Sequence, residues 1–230
     1  MKTIGLIGGM SWESTLTYYQ TINEEVKEAL GGLYSAKLLL YSVDFHEIEE
    51  CQASGDWGKS AEILADAATR LEGAGADFIV ICTNTMHKVV PEIQARIQIP
   101  ILHIADATAK VLKEDQIQKV LLLGTKYTMT EVFYKERLQK AGFEVLIPGE
   151  EEIEEINRVI YEELCLGQIR EESAAYFLQV IEEYTARGAG GVILGCTEIG
   201  LLIKPDNCPC AVYDTALIHA KEAAKKAITD

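Results

Sequence analysis

One phrase occurs twice in this 230-residue chain and limits what it can fold into: a glycine-punctuated run of β-branched and aliphatic residues that ends in Cys-Thr. The first copy is Gly75-Ala76-Asp77-Phe78-Ile79-Val80-Ile81-Cys82-Thr83, and the second is Gly188-Ala189-Gly190-Gly191-Val192-Ile193-Leu194-Gly195-Cys196-Thr197. A short continuous apolar run has no polar face to give to water, so it reads as a strand buried on both sides, as in parallel sheets covered by helices. Open sheets of that kind present chemistry at the C-terminal ends of their strands, where both cysteines fall. Two matched thiols point to one site with two similar groups facing each other.

The rest of the chain keeps the same alternation. Strands are predicted at Thr3–Ile7, Lys37–Ser42, Phe78–Ile81 and Ile101–Ile104, then at Lys119–Leu123, Glu144–Ile147, Gly191–Leu194 and Ala211–Tyr213. Apolar residues at helical spacing lie between them: Leu16, Tyr19, Ile22 and Val26; Ala61, Leu64, Ala68 and Leu71; Ile153, Ile156, Ile160 and Leu164; Ala174, Phe177, Ile181 and Tyr184. The halves echo each other in order, through Gly8 and Gly124, Cys82 and Cys196, Pro100 and Pro209, Asp106 and Asp214. Four echoes in one order argue for an internal duplication, with Gly195 as an extra residue in the second copy. The predicted fold is α/β, with two pseudo-symmetric lobes, each a four-stranded mostly parallel sheet flanked by helices. Residues 1–104 plus 214–230 form the lobe carrying Cys82, and residues 105–213 form the lobe carrying Cys196. The inter-lobe cleft is the expected ligand site.

Acidic residues outnumber Lys and Arg, giving a formal charge of −15, which argues against nucleic acid and anionic membranes as partners. Gly8, Gly9 and the following Ser-Trp-Glu interrupt the N-terminal apolar stretch before a signal-peptide core is reached. No apolar run approaches the roughly 20 residues of a membrane helix. The expected location is the cytoplasm, where the six scattered cysteines stay reduced.

A thiol titrates near ~8.5 unless a helix N-terminus or a positive charge lowers it. Thr83-Asn84-Thr85 and Thr197-Glu198 offer cap groups to a helix starting just after each cysteine, so each thiol is expected to form a thiolate base. A carbon held between two such groups meets a base on one face and an acid on the other, and its configuration inverts. Amides and hydroxyls of Thr83, Asn84, Thr85 and Thr197 are candidates to bind a carboxylate and stabilise the charge that develops on it. That chemistry needs no metal or cofactor, and no clear dinucleotide or P-loop pattern is present.

IGLIGGMSWEST at the start, ICTNTMHK at the first cysteine and LGCTEIG at the second resemble the aspartate/glutamate racemase family of cofactor-independent amino-acid racemases. The resemblance spans essentially the whole chain, and with VDFHEIEECQ it is nearest to the branch of broad-specificity amino-acid racemases. It implies two α/β domains, one catalytic cysteine from each, an amino-acid substrate and a homodimer. Cys82 and Cys196 match the family's acid/base pair. Met10 matches its glycine-rich first loop, and Thr83, Asn84, Thr85 and Thr197 match its substrate-carboxylate region. Aspartate-specific members carry basic residues at places that align here with Gln52 and Leu166, both neutral, so the substrate stays open between acidic and neutral amino acids.

The remaining candidates read as structural. Cys51 and Cys165 fit the role of small buried hydrophobes. Cys208-Pro209-Cys210 is half a zinc site with no second pair at the needed spacing. His46, His87, His103 and His219 take structural or surface roles, and the runs Glu150–Glu152 and Glu171–Glu172 start helices. Glu198 either contacts substrate or caps a helix. Two other functions fit the pattern: a cysteine-dependent isomerase or decarboxylase of a small dicarboxylic acid, and a non-catalytic two-lobed binding protein.

Overall fold

The computed structural model describes residues 1–229. From the N-terminus come β1 (Ile4–Gly8), α1 (Trp12–Leu30), β2 (Leu38–Ser42), α2 (Phe45–Ser54), α3 (Trp57–Gly73) and β3 (Phe78–Ile81). A 3₁₀ turn at Thr85–Val89 runs into α4 (Val90–Gln94), followed by β4 (Ile101–Leu102) and α5 (Ile104–Glu114). The chain continues through β5 (Lys119–Gly124), α6 (Lys126–Thr130), α7 (Val132–Lys140), β6 (Glu144–Leu146), α8 (Glu150–Glu162) and α9 (Glu171–Ala186). It ends with β7 (Gly191–Gly195), β8 (Ala211–Asp214) and α10 (Thr215–Thr229). Two compact units result: Met1–Ile104 with the residues from Ala216 onward, and Ala105–Thr215.

The first unit holds a parallel sheet in the order β2-β1-β3-β4, and the second a parallel sheet in the order β6-β5-β7-β8. The repeat in the sequence is thus a repeat in topology. In the first sheet, side chains alternate with the two-residue period of a strand. Ile7, Ile79 and Ile81 pack on one face with Ile48, Leu64, Ala68, Leu71 and Ile93. Ile4, Leu6, Phe78, Val80 and Cys82 pack on the other with Tyr18, Ile22, Val26 and the alanines of α10. In the second sheet, Leu121, Leu123, Val192, Leu194 and Cys196 pack against Ile153, Ile156, Ile160, Phe177 and Ile181 from α8 and α9.

Two expectations are corrected. The fourth strand is only two residues long, because α5 begins at Ile104. On α1, Leu16 and Tyr19 are exposed, and the buried stripe is Ser14, Thr15, Tyr18, Thr21, Ile22 and Val26. Apolar periodicity misplaces this face because its buried positions are partly polar and bonded. Thr15 Oγ1 accepts from Gly9 N at 2.9 Å, Ser14 Oγ donates to the Cys82 carbonyl at 3.4 Å, and Tyr18 Oη lies 2.9 Å from His219 Nδ1.

His219 is fully buried on α10, and its Nε2 lies 2.9 Å from the Leu102 carbonyl. A carbonyl only accepts, so Nε2 carries the proton and Nδ1 accepts from Tyr18: the ring is neutral. Burial lowers its pKa to about 4. The unfolded chain therefore binds more protons between the ordinary value near ~6.5 and this one, and stability present above that window is lost as pH falls through it, by about 3 kcal/mol. Thermal unfolding of the wild type should weaken from pH 6.5 to 4 more steeply than that of His219→Gln. Parallel profiles would show that His219 is not the group responsible.

Candidate active site

In the first unit, Cys82 is the residue after the last β1–β3 ladder pair, Ile7 with Ile81. Its N–H donates to the Ile7 carbonyl at 2.9 Å, which pins it to β1. The loop after β1 lies beside it. Gly9 has φ +97°, and a Cβ there would sit 2.1 Å from the Val43 carbonyl oxygen, so only glycine fits. Ser11 caps α1 by accepting from Ser14 N at 3.3 Å. Met10 is buried among Ile7, Ile81 and Met86. Gln52, from α2, is buried, and its Nε2 lies 3.1 Å from Met86 Sδ. Thus Met10 and Gln52 reach the turn that carries Thr83, Asn84 and Thr85. Asn84 and Thr85 are themselves buried, and Thr83 is half-buried.

In the second unit, β5 and β7 pair one step further, to Gly124 with Gly195. Leu194 pairs with Leu123 as Ile81 pairs with Ile7, so Cys196 stands two residues beyond the matching pair where Cys82 stands one. A one-residue shift moves a side chain to the opposite face of a strand. The thiols accordingly pack on non-equivalent faces, Cys82 with α1 and α10, Cys196 with α8 and α9. Gly195 makes the shift possible: a Cβ there would meet the Leu123 carbonyl oxygen at 2.7 Å.

Neither cysteine precedes a side-chain-capped helix. The turns at Thr85–Val89 and Ile199–Leu201 are 3₁₀, and neither Asn84 nor Glu198 makes a side-chain cap bond. Glu198 turns back instead. Its Oε2 accepts from Cys196 Sγ at 3.0 Å and from Thr197 Oγ1 at 2.7 Å. The expected lowering of the thiol pKa values is overturned as well. Burial pushes the Cys82 thiol far up, and burial followed by the charges of Glu198 and Cys165 pushes Cys196 well up. Both are thiols at neutral pH, because desolvation of a thiolate is the largest influence on each.

Leu166 is exposed, on a 3₁₀ turn at Leu164–Leu166. Glu163, which sequence reasoning missed, anchors that turn. It is buried, accepts from Ser173 Oγ at 2.6 Å and Arg158 Nη1 at 3.0 Å, and pairs with Arg170 at 3.5 Å. The Ser173 hydroxyl, then Arg158 and Arg170, holds its carboxyl below the ordinary range. Also missed were Ser14 and Thr15, which a helical apolar pattern cannot register. Cys208 and Cys210 lie with sulfurs 4.0 Å apart, and among the described residues no group of three or more ligating side chains is placed to hold a metal. No helix among them is long and apolar enough to cross a membrane.

A family model described as Asp/Glu/hydantoin racemase matches residues 7–223. The chain is 25% identical over 221 residues to RacX of Bacillus subtilis, a broad specificity amino-acid racemase, covering 95% of each. It superposes with TM-score 0.93 on a Yersinia pestis protein put forward as an Asp/Glu racemase, at 54% identity over all of both chains. With an aspartate racemase homologue from Pyrococcus horikoshii the TM-score is 0.85 at 40% identity over 99% of each chain.

The buried thiols carry a prediction about reactivity. Alkylation of Cys82 and Cys196 by iodoacetamide, followed by peptide mass spectrometry, should be slow at pH 7 and still rising at pH 10, with no plateau. Glu198→Gln removes the carboxylate that opposes the Cys196 thiolate, so it should speed alkylation of Cys196 severalfold and leave Cys82 unchanged. A plateau near pH 7 for either sulfur would contradict the protonated state assigned to it.

Proposed function

We propose, from the premise that the chain belongs to the Asp/Glu/hydantoin racemase family and is an amino-acid racemase, that Cys82 and Cys196 invert the α-carbon of a free amino acid as acid and base, without a cofactor. The observation that carries this reading is a thiol just past the end of the β1–β3 ladder in one sheet and of the β5–β7 ladder in the other. The reaction requires the two sulfurs to address opposite faces of one carbon. The thiolate takes the α-proton, and the opposite thiol delivers one. Hydroxyls and amides at Thr83, Asn84, Thr85 and Thr197 are the donors proposed for the substrate carboxylate, where enolate charge builds up.

Both thiols rest protonated, so a base must be generated when substrate binds. The ammonium group of an amino acid brings a positive charge into a buried site, and an opposite charge within a few ångströms favours the thiolate. Glu198 sets the two thiols apart: its carboxylate accepts from Cys196 Sγ at 3.0 Å and opposes the Cys196 thiolate, while the residue two positions past Cys82 is the uncharged Asn84. The two thiols would titrate as a coupled pair. Substrate choice rests on neutral Gln52 and Leu166, and the cations at the Leu166 turn, Arg158 and Arg170, are engaged by Glu163, which favours a broad or neutral range over aspartate alone. The same proposal places the enzyme in the cytoplasm as a homodimer, and exposed Trp12, Leu16 and Tyr19 on α1 give it an apolar strip for self-association.

The test is solvent deuterium exchange at the α-carbon of a panel of L- and D-amino acids, with purified protein and no added pyridoxal phosphate or metal. Label should enter at least one amino acid. Cys82→Ser and Cys196→Ser should each lower racemisation at least about 100-fold, with exchange from one enantiomer surviving in part. Absence of label from every amino acid would end the racemase reading, and full activity in either variant would remove that cysteine. Leu166→Lys should raise the preference for aspartate over neutral substrates by about tenfold, equivalent to ~1.4 kcal/mol. An unchanged substrate ranking would show that Leu166 lies outside the side-chain pocket.

A further inference from the structure

Three histidines that the chemistry above does not use are buried together in the first unit. The His87 ring centroid lies 4.5 Å from that of His103 and 5.7 Å from that of His219. His87 sits on the 3₁₀ turn after Cys82, and its Nδ1 is 2.8 Å from the Thr83 carbonyl oxygen. Its Nε2 is 3.2 Å from the Ile104 N–H. A carbonyl only accepts and a backbone N–H only donates, so both contacts are satisfied by one form of the ring, the neutral Nδ1–H tautomer.

The place of these bonds gives them a use. Cys82 directly follows β3, the strand between β1 and β4. Toward β1 it is held by the ladder, through Cys82 N to the Ile7 carbonyl. Toward β4 the ladder stops early, with Val80 paired to Leu102 as the last rung. Beyond that rung, imidazoles hold the Cys82 turn and the end of β4. His87 joins Thr83 O to Ile104 N, and His219, backed by Tyr18, holds the Leu102 carbonyl two residues before. The carbonyl and N–H of a trans peptide point in opposite directions. Fixing Thr83 O therefore also fixes the direction of the Asn84 N–H, one of the donors proposed for the substrate carboxylate.

We propose that His87 is a positioning residue for racemisation: its neutral ring ties the Cys82 turn to the point where the chain leaves the first sheet, and so holds the Thr83–Asn84 peptide in its working orientation. The proposal rests on the racemase reading for its kinetic consequence, and on the hydrogen bonds alone for its structural one. Two conservative variants separate the arms of the bridge. His87→Asn keeps a donor at the position of Nδ1, within reach of Thr83 O. His87→Gln keeps an acceptor at the position of Nε2 for Ile104 N–H and loses the bond to Thr83.

With the amino acid that the wild type turns over best, His87→Gln should lower kcat at least tenfold from both enantiomers with KM little changed, and His87→Asn should stay within about threefold of wild type. A misplacement of about 1 Å is enough for such a loss. A residue that only stabilises the fold would lower the melting temperature of both variants and leave kcat per folded molecule unchanged, and that result would overturn the proposal. Amide hydrogen exchange at Asn84, which needs no activity, should speed up at least tenfold in His87→Gln and not in His87→Asn. Equal exchange in both would overturn the structural half even if the wild type racemised no amino acid. Nitrogen-15 NMR of the wild-type ring needs no variant to fold: the Nδ1–H tautomer is expected, and the Nε2–H tautomer would refute the bridge.

Discussion

A parallel sheet buried on both faces leaves functional groups one place to stand, the point where its ladder of hydrogen bonds runs out. Along the central strands β3 and β7 every residue is buried and the backbone is engaged with neighbouring strands, so polar chemistry there would cost unmet hydrogen bonds. Ile81 and Gly195 are the last paired residues of β3 and β7. Cys82, Thr83 and Asn84, and Cys196, Thr197 and Glu198, come next. The polar residues buried on α1 gather at the same level, with Ser14 bonded to the Cys82 carbonyl and Thr15 to Gly9. The candidate residues of both units thus stand where the ladders end.

The duplication supplies two such ends, and one glycine makes them differ. With Ile7–Ile81 and Leu123–Leu194 as matching rungs, Gly195 takes the position of Cys82 and pushes Cys196 one residue on. Since side chains alternate along a strand, that single residue turns the second thiol to the other face. It also changes the thiol's company. Cys196 donates to a buried carboxylate, whereas the residue at the same offset from Cys82 is the amide Asn84. A pair that is symmetric in sequence is asymmetric in its surroundings.

Burial governs the chemistry of both sulfurs. Desolvation outweighs whatever the 3₁₀ segments that follow the cysteines contribute. Both thiols are therefore held protonated at neutral pH.

Much of the fold was legible in the sequence, and the reason is period. Runs such as Phe78–Ile81 and the spacing of Ala61, Leu64, Ala68 and Leu71 leave only one geometry that buries them. The Cys-Thr ends and the family resemblance likewise located the pair of thiols and the turns beside them. What periodicity could not register were positions filled by polar residues that are buried because hydrogen bonds or packed rings, not hydropathy, keep them there. Ser14, Thr15 and Tyr18 on the buried face of α1, Glu163 beneath the Leu166 turn, and His87, His103 and His219 packed together are of this kind. Glu198 belongs with them: its neighbours in sequence suggested a substrate contact or a helix cap, and its hydrogen bonds show a partner for Cys196. The sequence by itself determined the sheets, their duplication and the two cysteines, because hydrophobic patterns and glycine punctuation act locally. The tertiary structure alone decided the charge state of those cysteines, their opposite faces and the bridge at His87, because desolvation, ladder register and hydrogen bonds between distant residues arise only once the chain has closed on itself.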